Sequence, residues 1–374
     1  MYDKLNDLIR ELCSVASDPK GAVKKAMDNS GKQAIGCFPV YIPEEIIYAA
    51  GFLPIGLWGG KTDMKKADQY LQNFCCSVMR ANMDLAIRGT YDLLAGIVVT
   101  GYCDTLKCMI LNFRAFYKDK PVIGFVCPQN RDEGLQYLIR EMEYLATELE
   151  HINGWHISDS DVERSIAVYE AYRTAAREFV NTARDYPKTF SPLVRHQILK
   201  AAFFMDKAVY AQKLSVLNQT VKKLPKEQFN GIRAVVTGIM MDSPALLNAL
   251  NSYGITIVAD DLAQESRQFR TSVKPQGAPL ERVARRILDI EGCSLLYEKE
   301  KNKAEFILQT VRESGAEAVI VCMTKFCDPE EFDYPLLQEG LNQAGVKSLY
   351  IEVENHVEAL GQMNTRIQSF SEMF

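Results

Sequence analysis

Residues 34–58, AIGCFPVYIPEEIIYAAGFLPIGLW, contain the clearest indication of the fold class. Two short apolar runs, AIGCFPVY and GFLPIGLW, flank a segment that begins with Pro43, Glu44 and Glu45 and ends at Gly51. Proline at the first helical position and acids in the first turn are entry signals of a helix, and glycine is a common stop. The stretch therefore predicts a strand, a helix and a second strand.

The same alternation continues toward the C-terminus as far as residue 150. The chain shows a helix over 76–88, a strand GIVVTG at 96–101, a helix from about Asp104, a strand PVIGFVC at 121–127 and a helix from Asp132. Short apolar runs rich in β-branched residues, alternating with helices, are typical of parallel strands covered on both faces. Residues 1–150 are therefore predicted to form one α/β domain.

The rest of the chain divides into a helical stretch and a second alternation. Residues 151–225 show helical periodicity without strand-like runs and are predicted to be a helical connector. Residues 226–374 contain four strand-like runs, RAVVTGI, ITIVADD, AEAVIVCM and KSLYIEV, with helices near 245–253, 279–291, 303–314, 330–344 and 356–373. The predicted fold class is α/β, with two doubly wound, mainly parallel-sheet domains of the Rossmann or flavodoxin-like kind joined by a helical segment.

Composition excludes several classes of protein. The formal net charge of -5 gives no broad basic field for a phosphate backbone, so we expect no nucleic-acid partner. No stretch approaches the roughly 18 apolar residues that span a bilayer, and the first 20 residues lack an apolar signal core. We therefore expect a cytoplasmic protein without a membrane segment.

Cysteine is abundant and histidine is scarce, with ten and four residues in the chain. A reducing cytosol disfavours structural disulfides, so many cysteines favour a metal or redox role. Soft thiolate ligands suit iron-sulfur clusters. The composition therefore favours all-thiolate ligation of iron over a mixed cysteine and histidine zinc site.

Three cysteines occupy positions where an open parallel sheet binds ligands. Cys103 follows the run GIVVTGY, Cys327 follows AVIVCMTKF, and Cys76 begins the helical run CSVMRANMDLAI. A helix N-terminus lowers the pKa of a thiol and suits an anionic, thiolate-ligated cluster, on which three protein ligands would leave one iron with a non-protein ligand. Spacing alone leaves a metal site and simple packing equally open, because free cysteine is commonly a small buried hydrophobe.

The remaining seven cysteines divide into packing residues and two ambiguous ones. Packing is predicted for those in apolar strand runs and on helix faces or ends, which are Cys37, Cys127, Cys322, Cys13 and Cys293. Cys75 adjoins Cys76 and is an alternative ligand. Cys108 lies about one turn and a half after Cys103 and is also ambiguous.

Other polar residues have two interpretations each. Glu45 could act as a general acid or base, although an acid at a helix start is more commonly a surface residue that stabilises the helix dipole. In the segment ADDLAQESRQFR, the charged residues form either a network that closes the crevice or a solvated helix start; they are Asp260, Asp261, Glu265, Arg267 and Arg270. The histidines lack ligand-like spacing and are interpreted as surface or packing residues; they are His151, His156, His196 and His356. Neither a P-loop nor a dinucleotide GxGxxG follows any strand, so any ATP is expected to be hydrolysed elsewhere.

Several long segments, in order, resemble the 2-hydroxyacyl-CoA dehydratase family. They are GCFPVYIPEEIIYAAGFLPIGLWGG, FCCSVMR, CDTLKC, DDLAQESRQFR, EGCSLLY, KFCDPEEFDYP and the tail TRIQSFSEMF. The resemblance runs nearly from end to end. It is greatest to the β subunits of dehydratases for 2-hydroxyisocaproyl-CoA, phenyllactyl-CoA and lactoyl-CoA, and benzoyl-CoA reductase subunits are more distantly similar.

The resemblance implies a heterodimer of two related subunits, each with a [4Fe-4S] cluster on three cysteines. Matched motif by motif, the ligands here would be Cys76, Cys103 and Cys327, with Cys75 as the alternative to Cys76 because the two are adjacent. Glu45 matches a glutamate that acts in the α subunit. Ala263 stands where more distant relatives often have cysteine, which argues against a fourth ligand from that segment.

The resemblance also implies a reaction, in which water is eliminated from an (R)-2-hydroxyacyl-CoA to give an (E)-2-enoyl-CoA. The hydrogen at C3 is too weakly acidic for ordinary base catalysis. One electron on the thioester carbonyl gives a ketyl radical anion, which expels the hydroxyl group and makes that hydrogen removable. A separate ATP-dependent [4Fe-4S] activator protein would supply the electron, and the α subunit would bind most of the substrate.

Two other hypotheses remain open. The chain could be a subunit of a related benzoyl-CoA-reductase-like enzyme, or an electron-transfer component without dehydratase activity. It could also be a cluster-free α/β protein that binds a small molecule and uses its cysteines for packing. The acyl chain of the substrate is not encoded in any motif of this sequence.

Overall fold

The computed structural model describes residues 2–38, 40–128, 130, 131, 133–354 and 360–374. Eight strands lie in these ranges: β1 (Ala34–Cys37), β2 (Leu53–Gly56), β3 (Gly96–Thr100), β4 (Val122–Phe125), β5 (Ile232–Gly238), β6 (Ile255–Leu262), β7 (Ala318–Thr324) and β8 (Lys347–Val353). Each overlaps a strand-like run of the sequence, and β5, β6 and β7 extend one residue beyond theirs. All eight strand predictions are confirmed.

Helices connect the strands and form the middle of the chain. The first nine are α1 (Tyr2–Ser17), α2 (Pro19–Ser30), α3 (Glu44–Ala49), α4 (Ser77–Ile87), α5 (Asp104–Phe116), α6 (Leu135–Asn153), α7 (Asp159–Ala183), α8 (Pro192–Lys200) and α9 (Lys207–Val221). The others are α10 (Pro244–Ser252), α11 (Ser266–Phe269), α12 (Pro279–Leu288), α13 (Lys303–Ser314), α14 (Asp328–Gln343) and α15 (Leu360–Ser371). Asp132, the predicted start of α6, and residues 356–359, the predicted start of α15, lie outside the described residues.

The strands form two four-stranded sheets with the same winding. Their orders are β2-β1-β3-β4 and β6-β5-β7-β8, and every neighbouring pair is parallel. The predicted α/β class with two parallel sheets is confirmed. In each sheet the second strand lies on one side of the first strand, and the third and fourth strands lie on the other side. The strand order therefore switches between the two central strands, and such a switch point forms a ligand crevice at the carboxyl ends of the strands.

Helices cover both faces of the second sheet, which explains the long apolar runs in its central strands β5 and β7. Ala234 and Val236 of β5 pack in one cluster with residues of α10 and α15, whereas Val235 packs in another with residues of α13 and α14. Successive side chains of a strand point to opposite faces, so a strand covered on both sides has no polar face. The Val/Ile-rich runs follow from this burial.

The two sheets do not pack as isolated units. α12, which follows β6 in the chain, packs against α6 and α7, and its residues Val283, Ala284 and Ile287 belong to the core cluster of the first sheet. Helix α1 packs against α8 and α9 of the middle segment through Leu5 and Leu12. Long-range packing therefore joins the first sheet, the helical segment and the second sheet.

Candidate functional site

The three cysteines predicted as ligands occupy the same kind of position, at the N-terminus of a helix. Cys76 is the N-cap of α4, Cys103 of α5 and Cys327 of α14. Cys103 follows β3 and Cys327 follows β7, so each cysteine follows a strand at the switch point of its sheet. The Sγ of Cys103 accepts a hydrogen bond from Leu106 N at 3.5 Å. At each helix N-terminus, backbone N–H groups lie close to the capping thiol.

The three thiols are near enough for their charges to interact. Cys103 raises the pKa of Cys76, and both raise the pKa of Cys327. All three are partly exposed and pack against the same core cluster. The structure thus brings together cysteines that are 27 and 224 positions apart in the sequence.

The expectation that the helix ends would lower the pKa of these thiols is wrong. Burial raises the pKa of Cys76 to about 12, raises that of Cys103, and raises that of Cys327 well above its usual range. Backbone N–H groups oppose the change at each thiol, but removal from water is the larger effect. The free thiols are therefore protonated at neutral pH, and metal ligation would release their protons.

The arrangement of the three thiols fits a cluster better than a single metal ion. Among the residues that the structure describes, no group of three histidine, cysteine or acidic side chains is placed to hold a single metal ion. A four-iron cluster binds each cysteine through a different iron, so its thiolates stand farther apart than those around one ion. Three thiol donors at three helix N-termini suit such a cluster chemically.

Cys75 and Cys108 lie at the edge of this site. Cys75 is partly exposed, and a charge on Cys108 would raise its pKa further, although burial is the main cause of that rise. Cys108 is exposed on α5. Cys75 therefore stays an alternative to Cys76, because the two are adjacent at the start of α4.

The other cysteines are buried or pack against helices, with one unexpected polar environment. Cys37, Cys127 and Cys322 are buried, as predicted, and Cys13 packs against the helical middle segment. Cys293 is buried as well, but its Sγ lies 2.9 Å from Tyr41 Oη and accepts a hydrogen bond from Arg267 Nη1 at 3.5 Å. Packing alone does not describe this thiol.

Glu45 is fully buried, so the surface interpretation of this acid is wrong. Its carboxylate accepts a hydrogen bond from Arg173 and forms a second ion pair with Arg286 at 3.4 Å. Burial alone would raise the pKa of Glu45, but the two guanidinium groups lower it below its usual value. The carboxylate is therefore ionised and paired at neutral pH. Whether it acts in catalysis stays a prediction.

A small polar cavity adjoins Glu45. Its lining includes Glu44, Glu45, Arg173, Lys207 and Arg286, and its volume of about 20 Å³ has room for about one water molecule. Within the described part of the chain, Glu45 Oε2 and the Nε atoms of both arginines have no hydrogen-bond partner. An acyl thioester is far larger than this cavity.

The segment 259–270 forms a buried charge network, which was one of its two predicted interpretations. Arg195 of α8 forms ion pairs with Asp260 and Glu265, and Arg267 forms a bidentate pair with Asp261 at 2.9 and 2.7 Å. Arg267 also contacts Glu330 at 3.1 Å, three residues after Cys327. The alternative of a solvated helix start is wrong because these side chains are buried.

The histidines match their predicted classes where the structure describes them. His151 and His156 are exposed. His196 is buried and lies between two carboxylates, with Nδ1 2.8 Å from Glu265 Oε1 and Nε2 3.1 Å from Asp242 Oδ1. His356 lies outside the described residues.

Sequence reasoning missed the partners that bury these charges. Arg173, Arg286, Lys207 and Asp242 lie in stretches that read as ordinary helices or turns. The available signal was weak: in α7, Arg173 follows Tyr169 and Tyr172 on an otherwise apolar stripe, where a charge needs a buried partner.

Within the described residues, no helix has both the length and the apolar character needed to cross a bilayer.

Comparison with known proteins gives full-length matches. The family model described as "2-hydroxyglutaryl-CoA dehydratase, D-component" matches residues 39–374. The chain is 41% identical to the lactoyl-CoA dehydratase subunit beta of Anaerotignum propionicum over 99% of each chain. It is 38% identical to the (R)-phenyllactyl-CoA dehydratase beta subunit of Clostridium sporogenes over 96% of each chain. It is 36% identical to the (R)-2-hydroxyglutaryl-CoA dehydratase subunit beta of Acidaminococcus fermentans, over 98% of this chain and 99% of that one.

Proposed function

The chain belongs to the family of 2-hydroxyacyl-CoA dehydratase β subunits, and from this premise we propose that it carries a [4Fe-4S] cluster on Cys76, Cys103 and Cys327. In a complex with a homologous α subunit, it would support elimination of water from an (R)-2-hydroxyacyl-CoA to an (E)-2-enoyl-CoA. The observation that carries the proposal is the approach of three thiols at three helix N-termini. When bound, the cluster would supply one-electron chemistry at low potential.

The protein's own residues have three tasks in this proposal. The three cysteines lose their protons and hold the cluster, whose negative charge the N-termini of α4, α5 and α14 stabilise. The partial exposure of these cysteines leaves a route for electrons from an ATP-dependent activator protein. The absence of nucleotide motifs from the sequence supports hydrolysis of ATP by that second protein.

The substrate is proposed to bind mainly to the α subunit. The cavity beside Glu45 is too small for a thioester, and Glu45 is held by Arg173 and Arg286. For Glu45 to move a proton, its carboxylate would first have to separate from Arg173. We propose that in this subunit Glu45 chiefly fixes α3 against α7 and α12, and that proton transfer takes place on the α subunit.

The names of the three relatives favour a dehydratase over the alternative reductase. Each is named as a dehydratase β subunit, but the three names specify different acyl groups. The reaction class is therefore better supported than the acyl chain. The pocket that selects the acyl chain of the substrate would lie mainly in the α subunit.

The test is the iron and acid-labile sulfide content of the anaerobically co-expressed complex, measured with the EPR spectrum of the reduced protein. Because each thiolate binds a different iron, Cys76→Ala, Cys103→Ala and Cys327→Ala are each expected to remove the iron of this subunit. Cys75→Ala is the matched control for Cys76→Ala and is expected to keep it. A wild-type subunit that is folded and bound to its partner without iron would refute the proposal and favour the cluster-free binding protein.

Activity separates the remaining alternatives. The loaded complex, with activator, ATP and reductant, is expected to convert a 2-hydroxyacyl-CoA to the enoyl-CoA. If iron is present but lactoyl, 2-hydroxyisocaproyl, phenyllactyl and 2-hydroxyglutaryl thioesters are all left unchanged while an aromatic thioester is reduced, the reductase alternative is correct.

A further inference from the structure

A buried polar bridge connects the cysteine of the second sheet to a cysteine of the first. It consists of Glu330, Arg267, Cys293 and Tyr41, each at most 4% exposed. Its members come from α14, α11, the loop after α12 and the loop after β1. Neither the family match nor the cluster proposal assigns a role to this bridge.

The first part of the bridge fixes the N-terminus of α14. Glu330 lies in the first turn of α14, three residues after Cys327, and its carboxylate accepts hydrogen bonds from Lys303 Nζ at 2.5 Å and Arg267 Nη1 at 3.1 Å. The next residue, Glu331, accepts a hydrogen bond from Phe326 N at 3.1 Å. Phe326 has φ +62°, a conformation that a bulky side chain rarely adopts. The turn around Cys327 is thus held from both sides.

Arg267 is itself immobile. Its Nε and Nη2 donate to the two carboxylate oxygens of Asp261, at the end of β6, at 2.9 and 2.7 Å. A bidentate pair of this kind fixes the plane of the guanidinium group. Nη1 is then directed at both Glu330 and the Sγ of Cys293.

The second part of the bridge reaches the first sheet. Cys293 Sγ and Tyr41 Oη lie 2.9 Å apart. The Tyr41 ring packs edge-on against Tyr102, with ring centroids 5.8 Å apart, and Tyr102 immediately precedes Cys103. The path between the partly exposed Cys327 and Cys103 therefore runs through four buried side chains and the half-buried Tyr102.

We propose that Cys293, Tyr41 and Arg267 are positioning residues that set the separation between Cys327 and Cys103. The inference rests on the proposed cluster. In this proposal the three residues act through the loops that carry the ligands. Groups of this outer kind commonly change metal affinity by about 10-fold to 100-fold when they are removed.

The variants are chosen so that charge balance is kept. Arg267→Ala would take one cation away from both Asp261 and Glu330, which are buried, and a loss of this kind is strongly destabilising. Tyr41→Phe removes only the contact between Tyr41 Oη and the Cys293 thiol. Cys293→Ala removes that contact and the hydrogen bond from Arg267, and Cys293→Ser keeps a group that can form both. Cys37→Ala is the matched control, because Cys37 is also buried but its thiol contacts Ile35 O of its own strand at 3.6 Å.

The measurement is the rate at which bipyridyl removes iron from the anaerobic complex, together with the EPR spectrum of the reduced protein. Cys293→Ala and Tyr41→Phe are expected to lose iron about 10-fold faster than wild type and to show an altered spectrum. Cys37→Ala and Cys293→Ser are expected to remain close to wild type. Equal rates for Cys293→Ala and Cys37→Ala, or no recovery with serine, would overturn the inference. Wild-type protein without iron would instead overturn the cluster proposal.

Discussion

His196 is predicted to make the protein less stable at alkaline pH. It is buried on α8 and lies between Glu265 and Asp242, whose carboxylates also pair with Arg195 and Lys200. Burial alone would lower the pKa of His196, but its hydrogen bonds to the two carboxylates raise it from 6.5 to about 9. At neutral pH the ring is therefore an imidazolium that donates two hydrogen bonds.

The sign and size of the effect follow from that pKa. Because the folded protein holds the proton more tightly than the unfolded chain, the contribution to stability is complete below the unfolded value and is lost as pH rises through about 9. A change from 6.5 to about 9, at about 1.4 kcal/mol per unit, corresponds to about 3 kcal/mol. The wild-type protein is expected to lose about that much free energy of unfolding across this window.

The assay compares wild type with His196→Gln, which keeps a neutral hydrogen-bonding side chain at this position. The free energy of unfolding is measured in urea from about pH 6 to about pH 10, and the difference between the two proteins is plotted against pH. The difference is expected to shrink by about 3 kcal/mol as pH rises. The control is His151→Gln, a substitution at an exposed histidine, which is expected to have the same free energy of unfolding as wild type at each pH. A difference that stays constant across the window would refute the reasoning.

Two further predictions concern buried charges and tight packing. Arg173→Ala is expected to lower the free energy of unfolding by about 3–5 kcal/mol, since it removes the main partner of the buried Glu45 carboxylate. Adding Glu45→Gln should restore most of the loss, and a double variant as unstable as the single one in urea would contradict this explanation. Gly238→Ala is expected to cost about 2 kcal/mol or more, because Gly238 has φ +146° and a Cβ there would overlap the carbonyl oxygen of Cys322. A thermal midpoint equal to that of wild type would show that β5 and β7 can move apart.

The strands and the helix starts could be predicted from the sequence because their signals are local. The runs GIVVTG and AEAVIVCM are mainly apolar since both faces of each strand are covered, and this burial is visible without knowing the partners. The positions of Cys103 and Cys327 after such runs were likewise sufficient to place them at the carboxyl ends of strands. Recognition of the family depended on several long segments in order.

The electrostatics of the site could not be predicted, because they depend on residues far apart in the chain. Glu45 was expected at the surface, and its partner Arg173 lies 128 positions later on α7. The thiols of Cys76 and Cys327 have raised pKa values because burial removes them from water, an effect that no helix start reveals. The sequence predicts only packing for Cys293 for the same reason, since its partner Tyr41 is 252 positions away.

The packing of α1 on α8 and α9 has a consequence for biosynthesis. The ribosome makes α1 about 200 residues before α9, and at about 5–20 residues per second this interval lasts about 10–40 s. Until then Leu5 and Leu12, which become buried among the later helices, stay exposed on an amphipathic helix. The emerging chain therefore exposes an apolar helix face to which chaperones can bind. The first sheet can form before this N-terminal helix packs against α8 and α9.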